Sequence, residues 1–523
     1  MAARTAAAGL RCGRNSDEIL SAMESRAIWQ LAAVVMLSSG LAAAEPTEAT
    51  PGEGAGAAPG SAGSRSPPNS MHSRSYGMWV YPEPSKRGQQ LGYVRPGHAV
   101  RLARTDPIAG PGCAGGWYAV QPFGFVCLDR SASLSADDRV VRSRQSTLAR
   151  HAPLPFRYAL SNGAPMYRRL PEPEEWRQAE RAYGPAGSFR PQSWGNRGHE
   201  RLAEQRPIPV DGPVPTFLHG GGSARAAVEE QLVARAIPHG SLLSFTRAFE
   251  HRGRVFLLSA DGTVVPADRV RPYRVSTFHG VELGAGRDLP IAWTRSQPVV
   301  AYHRDGGRVV DSGRVWPPRT PIDLDGVAAP VEIDGQRYLP VARRRGPGAR
   351  SFVRADQVSQ VEPAARLPWG VKPDDKWIRV SITAGTLVAY EGLRPVFTTL
   401  VSPGAGGVPV KGRDPVKWST TPLGIYRITF KHLTDDMSPE QGDQRSFWIA
   451  DVPYAQYFNM PFALHTAYWH EDFGEPMSAG CVNLSPADGK WLFDWTDPAL
   501  PPGWHGVIAS GPNGRGSFVV IAR

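Results

Sequence analysis

The chain is 523 residues long, with 41% hydrophobic residues and a formal net charge of +11. That length exceeds what one hydrophobic core supports, so several domains are expected. The 50 prolines and 56 glycines speak for short strands and turns over long helices. No Lys/Arg run is dense enough, or suitably interleaved with aromatics, for nucleic-acid binding, so nucleic acid is set aside as a partner despite the positive charge.

In chain order, the first feature begins at Met23. Arg26 is followed by an apolar run from Ala27 to Met36 and by small residues ending at Ala44. That is the layout of a cleavable secretory signal, and the run is too short to span a bilayer well; an uncleaved anchor is the alternative. Residues 1–44 are therefore expected to be a signal region, in which Met23 is a candidate for the true start. Residues 45–75, rich in Gly, Pro, Ala and Ser, are expected to be a disordered linker. The chain is then exported, to the periplasm or cell envelope. Cys12 falls in the segment removed.

From Tyr76 to about residue 140, short alternating apolar runs separated by Gly and Pro suggest a small antiparallel barrel. The pattern resembles bacterial SH3-like domains of cell-envelope proteins. Cys113 and Cys127 flank a Gly-containing turn in this stretch, and export makes a disulfide between them the expectation. Residues 155–360 hold two echoes of the same pattern, each closing on Ala-Asp and a valine, at Val270 and Val358. They read as one or two degenerate β modules, or as one irregular all-β domain, with an insertion near 171–225. His219, His239, His251, His279 and His303 are scattered without metal-ligand spacing, and no metal site is expected.

The texture changes near Trp377. Runs at Ile378–Ile382, Leu387–Tyr390 and "VFTTLVS" form a β-meander, and Pro422 and Gly424 introduce a further strand. One helix is signalled near the end: Ser485 as N-cap, Pro486 in the first position, Asp488 in the first turn, and Trp491, Leu492 and Trp495 on one face. Just before it lies "MSAGCVNL", in which Cys481 is expected as a thiol. Cysteine count alone favours a buried structural residue. A thiol nucleophile, by contrast, needs a base, and His465 follows an apolar strand run while His470 lies in a polar loop. Gly480 would let the backbone turn beside the sulfur.

Residues 375–523 resemble the catalytic domain of the L,D-transpeptidases (YkuD type). The resemblance rests on His465, a twelve-residue gap, then Ser478-Ala479-Gly480-Cys481-Val482-Asn483, with "TPLGIYRI", "YWHEDFG" and "NLSPADGKWLFDW" around them. It implies a mainly β fold, with a C-terminal β-sandwich or barrel and a short helix behind the SH3-like modules. It implies Cys481 as nucleophile and His465 as base, the latter oriented by the Thr466 carbonyl. Backbone N–H groups at Gly480 and Cys481 would hold the oxyanion, Ser478 and Asn483 would shape the loop, and Tyr468, Trp469 and Asn483 are candidates for substrate contact, with core packing the equal alternative for Tyr468 and Trp469. Peptidoglycan stem peptides would be donor and acceptor, carbapenem-type compounds would acylate the thiol, and no metal or organic cofactor is required. The same site would act as an L,D-carboxypeptidase if water replaced the acceptor amine. Ala479 departs from the pattern, which usually has His there, and leaves open a non-enzymatic, wall-binding homologue.

Overall fold

The computed structural model describes residues 69–145, 149–150, 152–187, 199–218, 231–284, 286–306, 308–342, 350–437 and 448–523. The expected signal region, Cys12, residues 45–68 of the expected linker, His219 and part of the expected insertion lie outside the described residues. The fold is mainly β, with three short α-helices among the described residues, none of them long and apolar enough to cross a membrane.

The expected linker gives way to strand earlier than its composition suggested. Ser70–Ser73 pairs with Ala99–Arg101 and with Ala132–Ser133, and buries Met71 completely. One methionine in a polar stretch gives no readable alternation, so only its partners reveal the strand. Trp117–Ala119 and Phe125–Cys127 form a hairpin, and Cys113 and Cys127 are joined by a disulfide across it.

The insertion also carries structure. Pro173–Ala179 is a helix with proline in its first turn, and the Glu175 carboxylate accepts from the Glu172 backbone N–H at 2.9 Å. Glu180 follows, buried, and binds Arg254 at 2.8 and 2.9 Å while accepting from the Tyr167 hydroxyl at 2.8 Å. The two Ala-Asp echoes fold alike: Ala267–Arg269 and Ala355–Gln357 are 3-10 turns, each joining two strands. His279, expected to be incidental, hydrogen-bonds the fully buried Asp488 at 2.7 Å.

The C-terminal segment is built on a six-stranded sheet. Lys376–Ser381, Thr386–Glu391 and Arg394–Leu400 form the meander, and Phe518–Ala522 pairs parallel with the first of these. Their inner faces pack on the helix Pro486–Trp495, whose Leu492 is fully buried with Trp491 and Trp495 beside it. The Ser485 hydroxyl accepts from the Asp488 N–H, capping the helix start. At its other end the buried Lys431 ammonium donates to the Phe493 and Thr496 carbonyls at 2.6 and 2.8 Å, satisfying groups the helix leaves bare.

Upstream and C-terminal segments share one fourteen-stranded sheet. Gly92 and Tyr93 pair with Val507 and Gly506, and Leu242 pairs parallel with Ile449. Trp504 and Val507 complete the apolar core around Met71, Met78 and Val80. Behind this seam the Arg95 guanidinium is buried against Asp451, which also receives the Ser244 hydroxyl.

Candidate active site

Two short parallel strands position the expected chemistry. Phe462–Thr466 runs beside Val482–Leu484, with Leu464 opposite Val482, His465 opposite Asn483 and Thr466 opposite Leu484. Cys481 immediately precedes the second strand and packs against Ala463, Ala455 and Tyr457. Alternate residues of a strand share a face, so His465 lies on the side of Ala463 that meets the sulfur.

The His465 ring is buried, and its Nδ1 lies 3.2 Å from the Thr466 carbonyl. A carbonyl only accepts, so Nδ1 carries the proton and Nε2 is left as the basic nitrogen. Burial pushes its pKa down to about 4, with the Thr466 carbonyl and Asp435 pulling the other way. At neutral pH the imidazole is therefore neutral, the form that can take a proton.

His470 is bound differently. Its Nδ1 accepts from the Asp472 N–H at 3.2 Å, and its Nε2 sits 3.0 Å from the Asn483 amide. The Asn483 Nδ2 is the atom facing Nε2, and a neutral ring with Nδ1 accepting carries its proton on Nε2, so this contact is satisfied with the Asn483 amide turned to present its oxygen. Both ring nitrogens are thus spent on holding loop 470–472 against the strand. Burial lowers the His470 pKa to about 3.

The loop before Cys481 is closed by one hydroxyl. Ser478 Oγ donates to the Cys481 carbonyl and accepts from the Gly480 N–H at 3.0 Å. The Gly480 N–H, expected at the oxyanion, is committed to this turn, so Gly480 acts through its backbone shape. Its φ is +130°, and a Cβ there would meet the Phe462 ring at 2.5 Å and the Thr420 carbonyl at 3.0 Å. Ala479, beside it, is buried.

Three further expectations are revised. Tyr468 and Trp469 do not face a groove: both are buried in an apolar cluster with Tyr158, Leu160, Leu202 and Tyr273. Tyr468 stacks on Tyr158 at 3.8 Å, and Trp469 lies 6.0 Å from the His465 ring. Aromatic side chains beside a catalytic motif read as a substrate platform; here they anchor the upstream sheet to the shell around His465. Asn483 is likewise buried, held by His470. Cys481, expected as a thiol, is disulfide-bonded.

Sequence reasoning missed the segment that supports the loop. Ser402 pairs with Asn483, Gly404 bridges Ser478, and the Ala405 N–H donates to the Ser478 carbonyl at 2.7 Å. Thr421 Oγ1 accepts from the Gly404 N–H at 2.9 Å. The only signal for this in the sequence is the strand start at "TTPLG". Among the described residues no group of three His, Cys, Asp or Glu side chains could hold a metal ion.

Comparison with known proteins places this site within a family model: residues 375–521 match the YkuD L,D-transpeptidase catalytic domain. No curated protein matches the chain. Similar solved structures include an L,D-transpeptidase from Xylanimonas cellulosilytica, 22% identical, with 30% of this chain and 64% of that one covered at a TM-score of 0.20. An L,D-transpeptidase from Stackebrandtia nassauensis is 27% identical, with 27% of this chain and 59% of that one covered at a TM-score of 0.18. L,D-transpeptidase 3 from Mycobacterium tuberculosis is 16% identical, with 47% and 100% covered at a TM-score of 0.21. The chain thus spans less than two thirds of the length of the first two.

Proposed function

We propose, on the premise that residues 375–521 are an L,D-transpeptidase catalytic domain, that the chain is an exported, cysteine-dependent acyltransferase acting on peptidoglycan stem peptides. The observation that carries the proposal is the parallel strand pair. It sets a neutral, Nδ1-protonated His465 on the face that meets Cys481.

The chemistry requires Cys481 as a thiol, so the disulfide must first be exchanged with an external thiol, whose thiolate bonds the partner sulfur while Cys481 leaves as thiolate. His465 Nε2 then takes the Sγ proton. The thiolate attacks the carbonyl carbon of the third stem residue, and the peptide bond to the terminal D-amino acid breaks. The departing amine receives the proton back from His465. A second amine attacks the thioester, gives its proton to His465, and leaves with the acyl group as Cys481 regains its thiol. Water in place of that amine turns the same cycle into L,D-carboxypeptidase activity. Ser478 and Gly480 hold the turn that presents the sulfur, and carbapenem-type acylating agents would be accepted at the same atom.

The test is incubation of the reduced full-length protein with disaccharide-tetrapeptide muropeptides, followed by product analysis. Transfer of the tripeptide acyl group to an amine is the expected result. Release of tripeptide alone assigns the carboxypeptidase, and absence of turnover together with binding to wall fragments supports the non-enzymatic alternative suggested by Ala479.

A further inference from the structure

The supporting segment bears an exposed feature that the catalytic cycle does not use. Trp418 has 53% of its surface exposed, Val410 54% and Leu423 37%. An exposed large aromatic side chain rimmed by charge is a feature of interaction sites. Here the rim is cationic. The Arg413 guanidinium lies 4.1 Å from the Trp418 ring centroid, and Lys411 and Lys417 are exposed on either side in sequence. None of these three cations forms an ion pair among the described residues, and the neighbouring Asp414 carboxylate accepts from the Val416 N–H at 2.9 Å.

The platform's backbone is tied down beside the loop that carries Cys481. The Trp418 N–H donates to the Asp414 carbonyl at 3.2 Å, the Gly406 N–H to the Ser419 carbonyl at 2.9 Å, and the Thr420 N–H to the Pro415 carbonyl at 2.9 Å. The Thr420 carbonyl abuts Gly480, the residue before Cys481. Trp418 is two residues from Thr420, at most about 7 Å along the chain, which puts it on the order of 10 Å from the nucleophile loop. A donor acylated at its third residue carries three residues between that carbonyl and its sugar, roughly 10 Å when extended. That chain distance from the indole to the nucleophile loop is of the same order as the reach of a donor stem's sugar end.

We propose that Trp418, with Arg413, Lys411 and Lys417, forms a binding subsite for the glycan end of an anionic donor strand. The indole takes the C–H face of a pyranose ring, and the cations take the carboxylates of the attached stem. Arg413 stacked on the indole keeps its charge beside the ring, and so couples the two kinds of recognition. This inference rests on the proposed acyltransferase reading for its choice of donor and for the point at which that donor is attached.

The test measures binding to the full-length Cys481→Ala protein, in which turnover is silent. The probes are a disaccharide-tetrapeptide and the same tetrapeptide without sugar. The disaccharide form is expected to bind at least tenfold tighter. Trp418→Ala removes that advantage and leaves the sugar-free peptide unchanged. A Lys411→Gln/Lys417→Gln double variant weakens both ligands about threefold and flattens their salt dependence. Equal affinity of the two ligands, or a Trp418→Ala effect of equal size on both, overturns the subsite. Carbapenem acylation of the reduced natural protein, read by intact mass, reports separately on Cys481. Its absence would count against the catalytic reading without touching the binding result.

Discussion

The middle of the chain and its C-terminal segment are both made mainly of short strands, yet the buried ionisable groups at Glu180 and at His465 are treated in opposite ways. In the middle, a buried acid meets its counter-charge: Glu180 is clasped by Arg254 and Arg269. The same holds at the seam, where Arg95 meets Asp451. In the C-terminal segment, the buried rings of His465 and His470 meet amides and carbonyls and stay neutral. A paired charge is held in one state and serves structure. A neutral buried base retains a proton affinity that can be used. β architecture alone does not distinguish a scaffold from a site; the partner given to each buried titratable group does.

The largest effect expected from breaking this contrast is at His465. His465→Ala should lower the rate of Cys481 acylation by about 1,000-fold, within the span of positioned acid–base catalysis, read at a temperature where the variant, which loses a buried ring, remains folded. Rates within tenfold of the natural protein would remove His465 from the mechanism. On the structural side, Arg95→Met leaves Asp451 buried without its cation and should cost about 3–5 kcal/mol in urea unfolding. An unchanged midpoint would mean that the seam does not depend on this pair.

The pH dependence sharpens the same comparison. The folded-state pKa of His465 is lowered to about 4 from an ordinary 6.5. Between those values the unfolded chain binds the proton and the folded chain does not, so stability falls as pH drops from 6.5 toward 4. The contribution is about 3 kcal/mol, and His470, lowered to about 3, adds to it in the same direction. The acid limb of kcat/KM is expected near pH 4; a limb near 6.5 would contradict the buried neutral base. The smallest effect is at His470 itself. His470→Gln can still accept from the Asp472 N–H, and should reduce activity by less than about tenfold.

The meander from Trp377 and the helix at Pro486 were legible because their cues are local: alternation, a turn glycine, and a Ser-Pro cap. The His465 and Cys481 candidates were legible from order and spacing within one short stretch. The shared sheet was not, since the pairing of Tyr93 with Gly506 spans most of the chain and leaves no periodic trace. Nor was the fate of Tyr468, because an aromatic beside a catalytic motif looks the same whether it faces a ligand or stacks on Tyr158. The loop-shaping role expected of Ser478 was legible through the motif, and its hydroxyl closes the turn through the Cys481 carbonyl and the Gly480 N–H.

The central claim is that Cys481, once reduced, is a nucleophile served by His465. Its most direct test is intact-mass analysis of the reduced full-length protein after exposure to a carbapenem, followed by peptide mapping. The account predicts a single covalent adduct on Cys481, lost in Cys481→Ala and formed about 1,000-fold more slowly in His465→Ala. No adduct on the fully reduced protein, or an adduct that forms at the same rate without His465, would contradict it.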